Sequence, residues 1–365
     1  MLVRFDMIGI VVPTLNRPDW LALQLGYYRD VGFGGTIYIA DSSEPHLVEQ
    51  SLSAIRRLEG RVAVEHFVCP GMNELEAIRF ALERVHEPFA AMIGDDDFLI
   101  PDSLRKCVDF LEAHSSYATV HGMTVQAGIE LHDGAAADVG WVAGYPTGSA
   151  EQESGVERLL GFFRNYFVPL FSVHRTPEFL AGVAAVEHIP QASFRELAAC
   201  SLAIVGGKSK RLDCLYLIRG HHRRRGFQPD MYDWICNPQW FPAFEMFRGA
   251  LLRELQQRDG ASAEESAELV KQAFWYYLGS NLNRKWQGRY GRGIARIQPI
   301  LEGLGRASPS FRDRWRGLRS YIPTKSSRFT LNALRRRSSP YYADFDPFYR
   351  SLTTHTSAPL ASPLA

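Results

Sequence analysis

Apolar runs and helix-like stretches alternate along the first hundred residues. Residues 8–12, 36–40, 62–67 and 89–93 form short apolar runs, each closing on a polar or turn-forming stretch. Between them, 19–28, 47–58 and 72–85 carry apolar residues at helical spacing, most clearly Leu75, Ile78, Leu82 and Val85. Pro101 opens a further helix, where its missing N–H costs little, and Asp102 suits the positive end of that helix. Strands alternating with helices at this pace predict βαβ units and an α/β fold with a mostly parallel sheet. Unbroken apolar runs fit parallel strands covered on both faces. Beyond them, 118–145 reads as extra strands with a variable loop, and 156–166 as a helix. A short strand at 170–174 and a helix at 194–205, ended by Gly206-Gly207, come next. A strand at 210–219 then runs into Gly220-His221-His222. From 241 onward the pattern is mainly helical, at 241–258, 263–282 and 293–304. These readings divide the chain into a sheet domain over 1–225, a helical region over 226–337 and a tail over 338–365, whose Ser/Thr/Pro/Ala-rich end is expected to be disordered.

Composition narrows the class. The chain has 365 residues, 46% hydrophobic and 22% charged, which excludes disorder throughout and fits a soluble globular protein. No run of about 18 apolar residues and no basic-then-apolar leader pattern occurs, so a cytoplasmic location is expected. The five cysteines are widely spaced with no CxxC pair, which argues against a disulfide framework or structural zinc and fits a reducing compartment. A net charge of +1 hides an asymmetry: residues 284–337 hold 15 Lys and Arg against two acids, Glu302 and Asp313. Trp286, Tyr290, Phe311, Trp315, Tyr321 and Phe329 are interleaved with those cations. That mixture suits the inner face of an anionic membrane, with peripheral attachment. A solvated or subunit-facing helical surface is the plain alternative, and nucleic acid is the least favoured partner.

The unusual polar residues fall at the carboxyl ends of the predicted strands, where parallel sheets place their ligands. Pro13, Thr14, Asn16 and Arg17 follow the first run, Asp41 closes the second, and Asp95, Asp96 and Asp97 follow the fourth. Three adjacent carboxylates repel one another, and a divalent cation would relieve the repulsion. Hard oxygen donors suit Mg²⁺ or Mn²⁺, which also take phosphate oxygens as ligands. In an extended segment Asp95 and Asp97 would point to one side and Asp96 to the other. An exposed acidic turn before a helix is the alternative.

With those pieces in order, residues 5–225 resemble the family-2 glycosyltransferases of GT-A-type fold. The sequence from Val11 through Pro13, Thr14, Leu15, Asn16 and Arg17 to Pro18 is similar to that family's opening strand and nucleotide-binding turn. Ile39-Ala40-Asp41-Ser42-Ser43 resembles its second acidic turn, and Ile93-Gly94-Asp95-Asp96-Asp97 its DxD metal motif. Arg195-Glu196, a helix, Gly206-Gly207, a strand and His221 follow the later order of the family. The resemblance implies a nucleotide-sugar site at Pro13, Thr14, Asn16, Arg17, Asp41, Asp95 and Asp96. It implies a metal at Asp97 with Asp95 and His221, with His222 as the rival histidine. Glu196 matches the inverting base, although Arg195 replaces the first acid of the family's pair. The processive Gln-x-x-Arg-Trp motif is missing after His222.

The implied activity is a metal-dependent, inverting, non-processive sugar transfer. The donor would be a nucleotide sugar, with UDP the common base in the family and dTDP or GDP as alternatives. The acceptor would be a glycan, a lipid-linked group or another hydroxyl. Arg219 and Arg223–Arg225 form a basic cluster around the histidines, suited to an anionic acceptor or the diphosphate, or simply a solvated loop. Trp234, Trp240 and Phe241 read either as an acceptor platform or as core. Gly71 and Asn73 either line the donor pocket or begin a helix. A sugar nucleotidyltransferase would carry a glycine-rich loop after the first strand, and 13–18 has no glycine. The missing GxGxxG also counts against a dinucleotide-dependent oxidoreductase. A non-catalytic binding protein on the same fold stays open because of Arg195.

Overall fold

A computed structural model describes residues 6–58, 60–132, 136–222, 231–283 and 327–354. One mixed sheet organises them, in the order β3-β2-β1-β4-β8-β6-β9-β5, with β7 paired to β6. Its first half follows the sequence pattern closely: β1 (Ile8–Thr14), α1 (Pro18–Asp30), β2 (Thr36–Asp41), α2 (Pro45–Arg56), β3 (Ala63–Val68), α3 (Glu74–Leu82) and β4 (Phe89–Met92). β1 pairs in parallel with both β2 and β4, and β2 with β3. The chain runs from β1 through β2 to β3 on one side, then returns to place β4 on the other. The crevice at such a switch point is where open α/β sheets bind ligands. Ile10, Val11 and Val12 are fully buried, as strands with helices on both faces require.

The second half is mixed. β5 (Asp97–Leu99) and α4 (Pro101–Ala113) lead to the long β6 (Tyr117–His132), which returns through β7 (Ala136–Tyr145). α5 (Gly155–Arg164), a 3₁₀ turn at Pro169–Phe171, β8 (Val173–Arg175), α6 (Thr176–Ala184) and α7 (Ala192–Gly206) follow, and β9 (Lys208–His221) closes the sheet. The strand expected at 170–174 thus begins only at Val173, because Pro169 starts a tight turn in front of it. β9 runs parallel to β6 and antiparallel to β5, with Asp97 opposite Arg219.

α8 (Met231–Cys236), α9 (Phe241–Asp259) and α10 (263–283) are helical, as the sequence pattern indicates. They do not form a separate core. Phe247, Leu251 and Leu255 of α9 share one buried cluster with Leu75 and Ile78 of α3 and with Phe194 and Leu197 of α7. The stretch expected as a tail from 338 is described only as far as Thr354, and its Ser/Thr/Pro/Ala-rich end lies outside the described residues. A terminal helix, Tyr342–Thr354, places Phe345, Phe348 and Leu352 in the other cluster, with Tyr27 and Phe98. The helix expected at 293–304, the arginines 223–225 and most of the basic stretch 284–337 lie outside the described residues. No helix among the described residues is long and apolar enough to cross a membrane. Cys69, Cys107, Cys200, Cys214 and Cys236 are all free thiols.

Candidate functional site

The ends of β1 and β2 are flush, with Thr14 opposite Asp41. Pro13 lies inside β1, opposite Ala40. Asn16 then takes φ 56°, the one positive value on a non-glycine residue among the described ones. Asparagine tolerates that region because its short amide bonds locally. Here its N–H donates to Ser43 Oγ at 2.7 Å, and its Oδ1 accepts from the Glu44 N–H at 2.9 Å. The two strand-end turns are thereby stitched together. Asp41 is fully buried and braces the same junction. Its Oδ1 accepts from the Ser43 N–H at 2.9 Å, and its Oδ2 lies 3.1 Å from His66 Nε2. Burial opposes its charge, but the bonds from His66 and Ser43 hold its carboxyl below the usual range.

The acidic triplet is not an extended segment. Asp95 and Asp96 form a turn, and Asp97 begins β5. The three carboxylates therefore diverge. Asp95, with no exposed surface, accepts from Thr14 Oγ1 at 2.7 Å and lies 2.5 Å from a terminal nitrogen of Arg17. Burial drives its carboxyl up to about 7, against the pull of Arg17. Asp96 Oδ2 lies 3.2 Å from Arg17 and 2.8 Å from His222 Nε2. Burial works against ionisation there too, yet His222 and the Arg17 charge hold that carboxyl below the usual range. Asp97 accepts from the Gly220 N–H at 3.0 Å and from Arg219 Nε at 3.3 Å.

The two histidines point apart where β9 ends at His221, as successive side chains of an extended segment do. His222 stacks on Trp20 at 4.3 Å and reaches Asp96. His221 faces the other way, with its Nδ1 3.2 Å from Gln126 Nε2 and its ring 5.3 Å from Trp141. The structure therefore brings His222, not His221, to the acidic turn.

Four participants were not singled out from sequence. Gln24 of α1, fully buried, donates to the carbonyls of Gly94 and Asp97 at 2.7 and 2.6 Å and fixes the turn. Its signal was a polar residue on the apolar face shared by Leu21, Leu25 and Tyr28. Trp20 supplies the ring under His222. Gly220 gives its N–H to both the Asp96 carbonyl and the Asp97 carboxylate. Arg219, read only as part of a basic cluster, lies between the faces of Tyr145 and Phe171 at 5.1 and 4.7 Å and binds Asp97. Burial opposes its charge, but Asp97 leads the groups that raise its pKa, Glu196 among them.

Glu196 is exposed on the first turns of α7, and its charge is felt by Arg219, Tyr166 and Cys200. Arg195 beside it is buried and donates to both oxygens of Glu74, at 2.7 Å for the closest, and to the Ile189 carbonyl at 2.7 Å. It ties the start of α7 to the start of α3. Asn73 is the N-cap of α3, in a capping box with Glu76, which assigns it to the helix start. Trp234 and Trp240 pack around Phe194 at 4.8 and 5.9 Å, while Phe241 is exposed.

Three or more His, Cys, Asp or Glu side chains able to hold a metal do not meet among the described residues. The donors still suit a hard cation that keeps waters and phosphate oxygens, because Asp96 ends the turn, Asp97 follows it, and His222 lies beside Asp96. Such a cation would have to compete with Arg219 for Asp97.

No family model matches the sequence, and no curated protein matches it. Solved structures align with it at low identity. S. aureus TarS 1-349 in complex with UDP-GlcNAc aligns with a TM-score of 0.48 at 13% identity, over 81% of this chain and 80% of that one. S. aureus TarS aligns at 0.49 and 13%, over 94% of this chain and 54% of that one. Mannosyltransferase PcManGT from Pyrobaculum calidifontis, in complex with GDP-Man and Mn²⁺, aligns at 0.41 and 12%, over 86% of this chain and 84% of that one.

Proposed function

We propose that this chain is a glycosyltransferase that moves a sugar from a nucleotide-sugar donor, a UDP-sugar first among the candidates, to a hydroxyl acceptor with inversion. The observation that carries the reading is the meeting of three strand ends at the switch point. Thr14 and Arg17 hold Asp95, Asp96 shares Arg17, and the Asn16–Ser43 bond closes the adjoining turn. Carboxylates there suit ribose hydroxyls, which donate to them, and Arg17 suits an anionic phosphate edge.

In the transfer, the acceptor oxygen bonds to the anomeric carbon as the bond from that carbon to the diphosphate oxygen breaks. The electron pair leaves with the diphosphate, and attack from behind inverts the configuration. Glu196, exposed on α7, is the proposed base that takes the acceptor's proton. Asp97 and Asp96 with His222 would hold a divalent cation, which when bound supplies positive charge toward the leaving diphosphate. Arg219 donates to Asp97, and Glu196 is among the charges that favour its ionised form. The acceptor is proposed to be a glycan or a lipid-linked group.

Calorimetric titration of UDP, GDP, dTDP and CMP, with Mn²⁺ and then with EDTA, tests the donor half. One nucleoside diphosphate should bind with metal and lose affinity in Asp97→Ala. Glu196→Gln should keep that binding and lose turnover. Near-normal turnover in Glu196→Gln would remove the base assignment. Binding without turnover by the parent chain, on any acceptor class, would favour a non-catalytic donor-binding protein, a reading that Arg195 in the place of an acid supports.

A further inference from the structure

We infer, on the premise of the transfer proposed above, that Trp141 is a stacking platform for a neutral sugar ring of the acceptor, which makes that acceptor a glycan. Trp141 lies on β7 and is 42% exposed. A single exposed ring is ordinary on a protein surface. What sets this one apart is its seat. A Cβ built on Gly128 would lie 2.2 Å from Trp141 Nε1 and 2.6 and 2.7 Å from Cδ1 and Cε2. Distances so nearly equal put that point above the ring plane, not at its edge. The indole therefore lies face-down on the Gly128 backbone, with its other face turned outward. Glycine within a strand commonly marks such a close approach.

The surroundings suit a sugar. Gly128 pairs with Trp141 on one side and with His221 on the other. The His221 ring is 5.3 Å from the indole, and its Nδ1 is 3.2 Å from Gln126 Nε2. An amide and an imidazole can exchange hydrogen bonds with hydroxyls at the edge of a sugar, while its C–H face meets the negative face of the indole. Arg219, next on this face of β9, is already paired with Asp97, so a neutral ring fits better than an anionic one. Position links the platform to the transfer. Arg219 and His221 are two apart on β9, so they share a face and lie about 7 Å apart along the strand. Arg219 stands opposite Asp97 on β5 and within reach of the Glu196 charge. β6 and β9 also end on the same side of the sheet as β1 and β4, where ligands bind.

The test is saturation-transfer difference NMR on the full chain, with and without UDP and Mg²⁺. The probes are the methyl α- and β-glycosides of glucose, galactose, mannose and N-acetylglucosamine. At least one should receive saturation on the C–H protons of one ring face. Trp141→Ala should weaken that binding roughly tenfold, the upper end for a lost ring contact, and Trp141→Phe less. Gly128→Ala keeps every polar group but lifts the indole from its seat, and should weaken binding as well. Calorimetry with UDP, GDP, dTDP and CMP should give the parent's nucleotide affinity in each variant. No saturation transfer to any probe overturns the inference, as does unchanged binding in Trp141→Ala. A loss of nucleotide affinity in Trp141→Ala would assign the ring to the donor base and overturn it too. Trp141-dependent glycoside binding by a parent chain that takes none of the four nucleotides would keep the platform and remove the transfer reading. Nucleotide binding without glycoside binding would do the reverse.

Discussion

Arg219 Nε sits 3.3 Å from Asp97 Oδ2, and the two residues face each other across the β5–β9 pair. Both are almost wholly enclosed, with side-chain exposures of 14% and 2%. Removing one member of such a pair strands the other charge, a loss of about 3–5 kcal/mol. Arg219→Met is thus expected to lower stability by that order in metal-free buffer. Mn²⁺ is then expected to raise the unfolding temperature of the variant more than that of the parent, because Asp97 no longer has a guanidinium to be taken from. Thermal unfolding with and without Mn²⁺ reads both effects. An equal metal response in the two chains would argue against Asp97 as a ligand.

Gly220 owes its identity to closeness. A Cβ built on it would lie 2.2 Å from the Asp96 carbonyl oxygen, a backbone atom that no rotamer change can move. The same residue donates its N–H to that carbonyl and to Asp97. Gly220→Ala should push β9 away from the acidic turn, at a cost of about 1–3 kcal/mol from overpacking alone. Nucleotide affinity should fall with it. An alanine variant of parental stability and affinity would show that the turn does not depend on this contact.

Much of this geometry was readable in the chain, for an identifiable reason. Thr14, Asp41 and Asp95 interrupt apolar runs at strand ends, so each position follows from local pattern alone. Arg219, Gly220 and Gln24 reach the same turn from elsewhere in the chain, and only the β5–β9 register and the docking of α1 bring them there. The histidine pair shows how little separates the two cases. Which of His221 and His222 faces Asp96 depends on strand parity, and the β6–β9 pairing shifts register between His121 and Thr124. The terminal helix was not read from the sequence, because Pro347 inside it and the polar residues around it obscure the spacing of Phe345, Phe348 and Leu352.

Arg195 tests whether α7 must be held for Glu196 to act. Its guanidinium bonds join α7 to Glu74 at the start of α3 and to the Ile189 carbonyl. The Glu74 side chain is 46% exposed, so water can take over its half of the pair. Arg195→Ala should therefore cost only about 1–3 kcal/mol. Its larger effect should be on turnover: kcat falls because the first turn of α7 loosens, while nucleotide affinity holds. Steady-state kinetics beside calorimetry separates the two. A loss of nucleotide affinity with kcat intact would place Arg195 on the donor side instead.

His121 and His174 give the fold a defined response to acid. Both are buried: His121 Nδ1 lies 3.2 Å from Ser172 Oγ, and His174 Nε2 lies 3.0 Å from the Pro169 carbonyl with its ring stacked on Phe179. Burial pushes their pKa values down from 6.5 to about 3 and about 4. The unfolded chain therefore binds two protons below pH 6.5 that the folded chain refuses until the pH reaches those lower values. Stability from these groups is complete above pH 6.5 and falls with acid at about 1.4 kcal/mol per pH unit for each histidine. The share of His174 ends where it takes its proton, near pH 4, and that of His121 near pH 3. Urea unfolding between pH 7.5 and 4.5 should show this slope on top of the carboxylate contributions. His174→Gln should remove about half of it, since glutamine keeps a donor for Pro169 but cannot bind a proton. If the variant's stability falls with acid as steeply as the parent's, His174 is charged in the folded chain and its cavity is not closed to water.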